Sequence, residues 1–157
     1  MTSINVDTII DDPIIPQGSP EWFAGRLGKI TASRLSDIMK TTKYGESTYK
    51  KRARMELAIE RLTGKQASNV VMNKAMYDGV EREPDARSLF ELVTGKEVAL
   101  CGSFDHPDIP NSSASPDGLL RNENAVLEIK CPTAVTHAYN LLSKKMDTRY
   151  IYQIQWQ

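Results

Sequence analysis

The hydrophobic period changes at Gly95, and that change constrains the fold more than any other feature. Before it, "NKAMYDGVEREPDARSLFELVTG" carries Met76, Val80, Ala86, Leu89, Phe90 and Val93 at near-helical spacing, which predicts a long helix from Asn73 to Gly95. Gly79 and Pro84 interrupt this pattern and predict a kink or a late start. After Gly95, "EVALCGSF", "NSSASPDGLL" and "AVLEIKC" read as three meandering strands punctuated by turn residues. "TAVTHAYNLLSKK" then returns to a helical period, and "TRYIYQIQWQ" begins another amphipathic segment. Helices, strands joined by short turns, then helices again predict an α/β or α+β domain built on one sheet.

The N-terminal half fits the same scheme. Residues 1–18 read as an extended arm punctuated by proline, and residues 19–157 as a single domain. Ser19, Pro20 and Glu21 read as an N-cap, a proline at the first helical position and an acid in the first turn. A short helix with Trp22 and Phe23 follows. Thr31 or Ser33 would cap a second helix that buries Leu35, Ile38 and Met39. Thr48 would cap a third, whose apolar stripe is Met55, Ile59 and Leu62 and whose stop is Gly64.

Composition narrows the function classes. No apolar run approaches the roughly 20 residues that a membrane-spanning helix needs, so no membrane association is expected. The first residues lack the basic segment of a secretory leader, and Cys101 and Cys131 are not in CxxC spacing. Reduced thiols and a cytoplasmic location follow as expectations. Net charge is zero, yet residues 40–65 concentrate Lys40, Lys43, Lys50, Lys51, Arg52, Arg54, Arg61 and Lys65 against three acids. Such an excess either faces phosphates or forms a solvated helix face.

The chemistry concentrates in "SPDGLLRNENAVLEIKCP". Alternation in "AVLEIKC" places Val126, Glu128 and Lys130 on one face and Leu127, Ile129 and Cys131 on an apolar core face. Glu128 and Lys130 thus project together, about 7 Å apart along the strand. A hairpin closed around "NENA" brings Asp117 opposite Glu128. Two carboxylates so placed suit Mg2+, which takes few protein ligands and keeps several waters. An ammonium beside them can orient an attacking water near a phosphodiester. The plain alternative is an exposed Glu128–Lys130 pair worth about 0–1 kcal/mol.

These residues resemble the PD-(D/E)XK nuclease motif as it occurs in lambda-exonuclease-like, YqaJ-type viral recombinases. "WFAGRLGKITAS" resembles that family's Trp…Arg-x-Gly-x-Ile-Thr-Ala-Ser signature, "GVEREPDAR" its Gly-x-x-x-Glu-x-x-Ala-Arg helix, and "YIYQIQ" its Tyr-x-x-Gln-x-Gln helix. The four motifs stand in the family's order. The resemblance implies a restriction-endonuclease-like fold, a central mixed sheet flanked by helices. It implies Asp117, Glu128, the Ile129 carbonyl and Glu83 as metal ligands for Mg2+, with Mn2+ as a possible substitute. Lys130 and Gln153 would stand at the attacking water, and Arg26, Ser33 and Ser115 would grip a 5′-phosphate. Glu83 also reads as an i,i+4 partner of Arg87, Ser33 as a cap, and Gln155 and Tyr150 as a surface and a core residue. His106 and His137 have no cluster around them and are not expected as ligands.

The activity implied is a 5′ to 3′ exonuclease on duplex DNA ends, with a single-strand annealing protein as partner, a homotrimer as assembly and a phage host's cytoplasm as the setting. The family usually continues past the Gln-x-Gln helix into a further strand and a C-terminal helix. A chain ending at Gln157 is therefore expected to lack both. An endonuclease of restriction or repair type, or a truncated module that binds DNA ends without turnover, are the competing expectations.

Overall fold

Capping residues fix nearly every helix boundary in the computed structural model, which describes residues 14–67 and 73–157. Most of the expected N-terminal arm lies outside the described residues. The described chain divides into two compact units, one built from residues 15–67, 102–115 and 147–157 and the other from residues 73–101 and 116–146.

In the first unit, α1 (Pro20–Gly25) starts at Ser19, whose hydroxyl accepts the Trp22 N–H at 3.2 Å. Strand β1 (Ile30–Thr31) leads directly into α2 (Ala32–Met39). A hairpin of β2 (Thr41–Thr42) and β3 (Gly45–Glu46) precedes α3 (Thr48–Thr63). β1 pairs in parallel with β6 (Ser112–Ala114), which pairs antiparallel with β5 (Phe104–Asp105). The last helix, α6 (Thr148–Trp156), is capped by Asp147 and packs on α2.

The second unit holds α4 (Lys74–Thr94), the antiparallel sheet β4–β7–β8 (Val98–Ala99, Gly118–Leu120, Val126–Leu127) and α5 (Ala134–Ser143). α4 begins at Asn73 as expected, runs uninterrupted through Gly79 and Pro84, and ends at left-handed Gly95. The α+β class holds. The strands are two or three residues long and register as two three-stranded sheets and a hairpin, in place of one continuous sheet. "EVALCGSF" gives two strands, one in each unit, because pairing stops at Ala99 and resumes at Phe104.

Three local expectations are corrected. Ser47, not Thr48, caps α3: its hydroxyl accepts the Lys50 N–H and donates to the Lys40 carbonyl. Met39 is exposed, and α2 buries Ala32 and Ser36. The stripe Met55, Ile59 and Leu62 faces outward, and α3 turns Ala53, Leu57 and Glu60 inward.

A charged side chain displaces that apolar stripe. Glu60, only 2% exposed, receives Arg34 in a two-pronged pair at 2.7 and 2.9 Å and the Gly28 N–H at 3.0 Å. Gly28 has φ +68°, and a Cβ there would lie 2.7 Å from the Arg61 side chain, which itself donates to the Gly28 carbonyl. Burial pushes the Glu60 carboxyl up, but the Arg34 and Gly28 hydrogen bonds outweigh it and hold the group below the usual carboxylate range. Its stabilising contribution is thus present at neutral pH and lost as pH falls through that lowered value. Glu60→Ala is expected to cost about 3 kcal/mol at pH 7, the scale of breaking a buried pair, measured by urea unfolding. A loss under about 1 kcal/mol would reduce the pair to a surface-type contact.

Candidate active site

Asp117 follows a buried proline and precedes β7, at the point where sheet pairing gives out. The ladder pairs Gly118 with Leu127 and Leu119 with Val126. The ladder ends there, with Asp117 one residue before its last pair and Glu128 one residue after it. The Asp117 N–H donates to the Leu127 carbonyl at 3.0 Å, and the Asp117 carboxylate accepts the Ile129 N–H at 2.6 Å. A side-chain oxygen thus takes the place of the next backbone acceptor, and the strand carrying Glu128, Ile129 and Lys130 is tied to the acid.

The Glu128 side chain is 4% exposed and receives the Lys130 ammonium. That burial removes the exposed-pair alternative. A cleft of about 320 Å³ is lined by Met76, Gly79, Val80, Glu83, Asp117, Ile129, Lys130 and Cys131. Ile129 and Cys131 face this cleft in place of the expected core, because pairing of β8 ends at Leu127 and strict alternation ends with it. Glu83 reaches the cleft from α4 and is also paired with Arg87 at 2.7 Å. Its ion pair with Arg87 and its place in the cleft lining therefore coexist.

Electrostatics marks Asp117 within this group. Burial is the largest influence, and the Glu128 charge adds to it. The Ile129 N–H works against them, Glu83 raises the carboxyl further and Lys130 lowers it, leaving a pKa of about 6. Among the described residues no three of His, Cys, Asp and Glu form a ready-made metal cage. Even so, a half-buried acid held up by two further carboxylates is the donor chemistry that a divalent cation relieves, and Mg2+ needs only one or two such ligands. Asp117, Glu128 and Glu83 fit that requirement.

The second set of expected residues gathers in the other unit. Arg26 donates to the Ser115 hydroxyl at 2.8 Å, and Ser33 lies at the edge of reach, 3.5 Å. The Ser33 hydroxyl also bonds Thr31 at 3.2 Å, which takes the place of a side-chain cap on α2. The Arg26 guanidinium lies 4.0 Å from the Trp22 ring centroid and is paired with no carboxylate among the described residues. Burial and the nearby Arg34 charge lower its pKa to about 10. The stacking by Trp22 has a sequence signal, an aromatic at i–4 from an arginine on one helical turn.

Gln153 and Tyr150 are half-buried on α6, and Gln155 is exposed. Gln153 belongs to the first unit, and the residues lining the cleft belong to the second. His137 is exposed on α5, and His106 Nδ1 accepts the Asp108 and Ile109 N–H groups at 3.0 Å in a turn. Neither histidine joins the acids.

Residues 21–157 match the YqaJ-like viral recombinase domain. No curated protein matches the chain. Among solved structures, the chain is similar to an alkaline exonuclease from Laribacter hongkongensis, at 42% identity and a TM-score of 0.78 over 88% of this chain and 66% of that one. A structure of that exonuclease in complex with dAMP aligns at 42% identity and a TM-score of 0.79, over 88% of this chain and 67% of that one. The chain thus spans about two thirds of the length of the exonuclease it matches.

The raised Asp117 pKa carries a stability consequence with a definite sign. The carboxyl contributes stability below about pH 4, where it is protonated in folded and unfolded chains alike, and loses it as pH rises through about 6. In EDTA at pH 7.5, Asp117→Asn is therefore expected to melt a few degrees above the unsubstituted protein, with the gain gone at pH 4. A lower Tm at pH 7.5 would contradict the electrostatic account.

Proposed function

The chain belongs to the YqaJ-like viral recombinase domain family, and from that premise we propose that it is a divalent-metal-dependent deoxyribonuclease acting from the ends of duplex DNA. It degrades one strand 5′ to 3′, releases 5′-mononucleotides and leaves a 3′ single-stranded overhang for recombination. The observation that carries this reading is the half-buried Asp117 carboxyl, raised by partial burial and by Glu128 and Glu83 in a cleft that also holds Lys130. An alkaline exonuclease at 42% identity supports the same reaction class, and its complex with dAMP supports a 5′-mononucleotide product.

Asp117, Glu128, the Ile129 carbonyl and Glu83 would hold the ion, Mg2+ by preference and Mn2+ in its place. When bound, it supplies positive charge against the oxygens of the phosphate under attack. Lys130 Nζ, which donates to Glu128 in this structure, would orient the attacking water and then meet the charge developing beside it. Gln153 would hold that water from α6, a role that rests on the family motif.

Arg26, Ser33 and Ser115 would receive the 5′-terminal phosphate. A guanidinium backed by an aromatic ring and flanked by two hydroxyls, without a carboxylate to neutralise it, offers charge-assisted donors to a dianion. In this reading residues 19–157 work as one nuclease domain, in the cytoplasm of a phage host. A homotrimer and an annealing protein for the overhang are its proposed partners. Among the described residues no helix is long and apolar enough to cross a membrane.

On linear duplex DNA with Mg2+, the expected products are mononucleotides, abolished by EDTA. Closed circular duplex should remain intact. Cleavage of the circle would favour an endonuclease, and binding without products would favour an end-binding module. Lys130→Ala is expected to lower turnover at least 10²-fold, within the usual range for a residue acting on the proton inventory, while retaining metal-dependent DNA binding. Undiminished turnover would remove Lys130 from the mechanism.

Arg26→Ala should erase the preference for 5′-phosphorylated over 5′-hydroxyl ends. The loss should be about 10- to 100-fold, the value of a charge-assisted hydrogen bond. A preference that survived the substitution would move the phosphate site elsewhere.

A further inference from the structure

Glu83 is the one carboxylate of the cleft that comes from a helix, and its partner on that helix has no role in the reading above. Arg87 lies one turn further on, its Nη2 2.7 Å from Glu83 Oε1. Glutamate preceding arginine by four residues is the favourable order for such a pair. An exposed pair of this kind would do little. This one is withdrawn from water, with side-chain exposures of 15% for Arg87 and 25% for Glu83. Arg87 Nε is buried with no hydrogen-bond partner, so the guanidinium is held by packing and committed to Glu83 through one N–H.

The charges in the unit follow a pattern. Glu128 has Lys130, Glu83 has Arg87, and Asp117 has a neutral donor, the Ile129 N–H. Arg87 is also close enough to act on the buried Cys101 thiol, which the Asp117 charge acts on in the opposite sense. Glu83 lines the cleft and Arg87 does not, so Arg87 meets the cleft through Glu83.

We propose that Arg87 is a positioning residue for the divalent ion: it holds the Glu83 side chain aimed into the cleft, and so sets the affinity of the site without touching the ion or the DNA. The inference deepens the metal-dependent reading and rests on it. Two consequences of removing Arg87 oppose each other, which makes the sign informative. Deleting a cation leaves the site more negative and on its own favours a divalent cation. Releasing Glu83 from its support disfavours it, and loss of an outer partner of a metal ligand typically weakens binding about 10- to 100-fold. A purely structural cation predicts the first, and a positioning residue the second.

The experiment is calorimetric titration of Mn2+ into the metal-free protein without DNA, with circular dichroism as the check on folding. Arg87→Met is expected to weaken Mn2+ binding by about 10- to 100-fold. Arg87→Lys, which restores the charge and a single N–H donor, should recover most of it. In a Glu83→Gln background, Arg87→Met should have no further effect, because the residue acts only through Glu83.

Equal or tighter Mn2+ binding by Arg87→Met would overturn the proposal. So would an undiminished effect of Arg87→Met in the Glu83→Gln background. Should Arg87→Met fail to fold, Arg87→Gln, which removes the charge but keeps a polar side chain, takes its place: the same loss of Mn2+ affinity is expected alone, and no further loss in the Glu83→Gln background. Absence of Mn2+ binding by the unsubstituted protein would instead overturn the metal-dependent reading itself, so the two failures are distinguishable.

Discussion

One hydrogen bond, from the Ile129 N–H to the Asp117 carboxylate at 2.6 Å, sets the geometry of the candidate site. Backbone pairing between β7 and β8 ends at Gly118 and Leu127. A strand released at that point would carry Glu128 and Lys130 into solvent. Instead the side chain of Asp117 extends the ladder, and the next residues stay beside the acid with Glu128 buried. The same bond partly offsets a cost, since it favours the charged carboxylate that burial, Glu128 and Glu83 disfavour. It does not offset it fully. A group left with a pKa of about 6 is one the fold alone would not select, and such conflicts concentrate where a ligand is to be bound.

In the other unit, two arginines eight residues apart show how environment divides one residue type between two tasks. Arg34 meets Glu60 in a two-pronged pair that also fixes the Gly28 loop. Arg26 meets Trp22, Ser115 and the fringe of Ser33, and its charge has no acid among the described residues. The first arrangement is closed, because the buried Glu60 carboxylate balances the guanidinium's charge. The second keeps a planar donor fork ordered by stacking, while the positive charge remains to be balanced. Glu60 and Arg34 therefore serve Arg26, because they hold the turn on which it stands.

What could be read from the sequence was local. Helix ends at Ser19, Asn73, Gly64 and Gly95 follow from capping chemistry within four residues. The hairpin that brings Asp117 and Glu128 to the same end of the ladder follows from turn residues and period-2 alternation over one short stretch. What escaped was set at long range. Glu60 and Arg34 are 26 residues apart, and a buried glutamate on the inner face of α3 has no signature in hydrophobic spacing. That pair turned Met55, Ile59 and Leu62 outward against the apparent stripe. Cys131 and Ile129 left the core face because alternation holds only while pairing lasts. Ser47 won over Thr48 because its hydroxyl could also reach the Lys40 carbonyl, a contact seven residues away.

The position of Glu83 follows from the way its helix is held. None of the residues of α4 is fully buried, so packing against a core does not fix its rotation or register. Polar tethers do: Asn73 closes its first turn, Gly95 its last, and Glu91 accepts the Val98 N–H at 2.8 Å to bind the helix to β4. Each tether lies at least eight residues from Glu83. Pro84, immediately after it, removes one backbone hydrogen bond from that turn. An acid on such a segment has rotamers to choose among, and the side chain that restricts the choice is Arg87. The precision of this edge of the cleft therefore rests on a single ion pair, and not on hydrophobic burial.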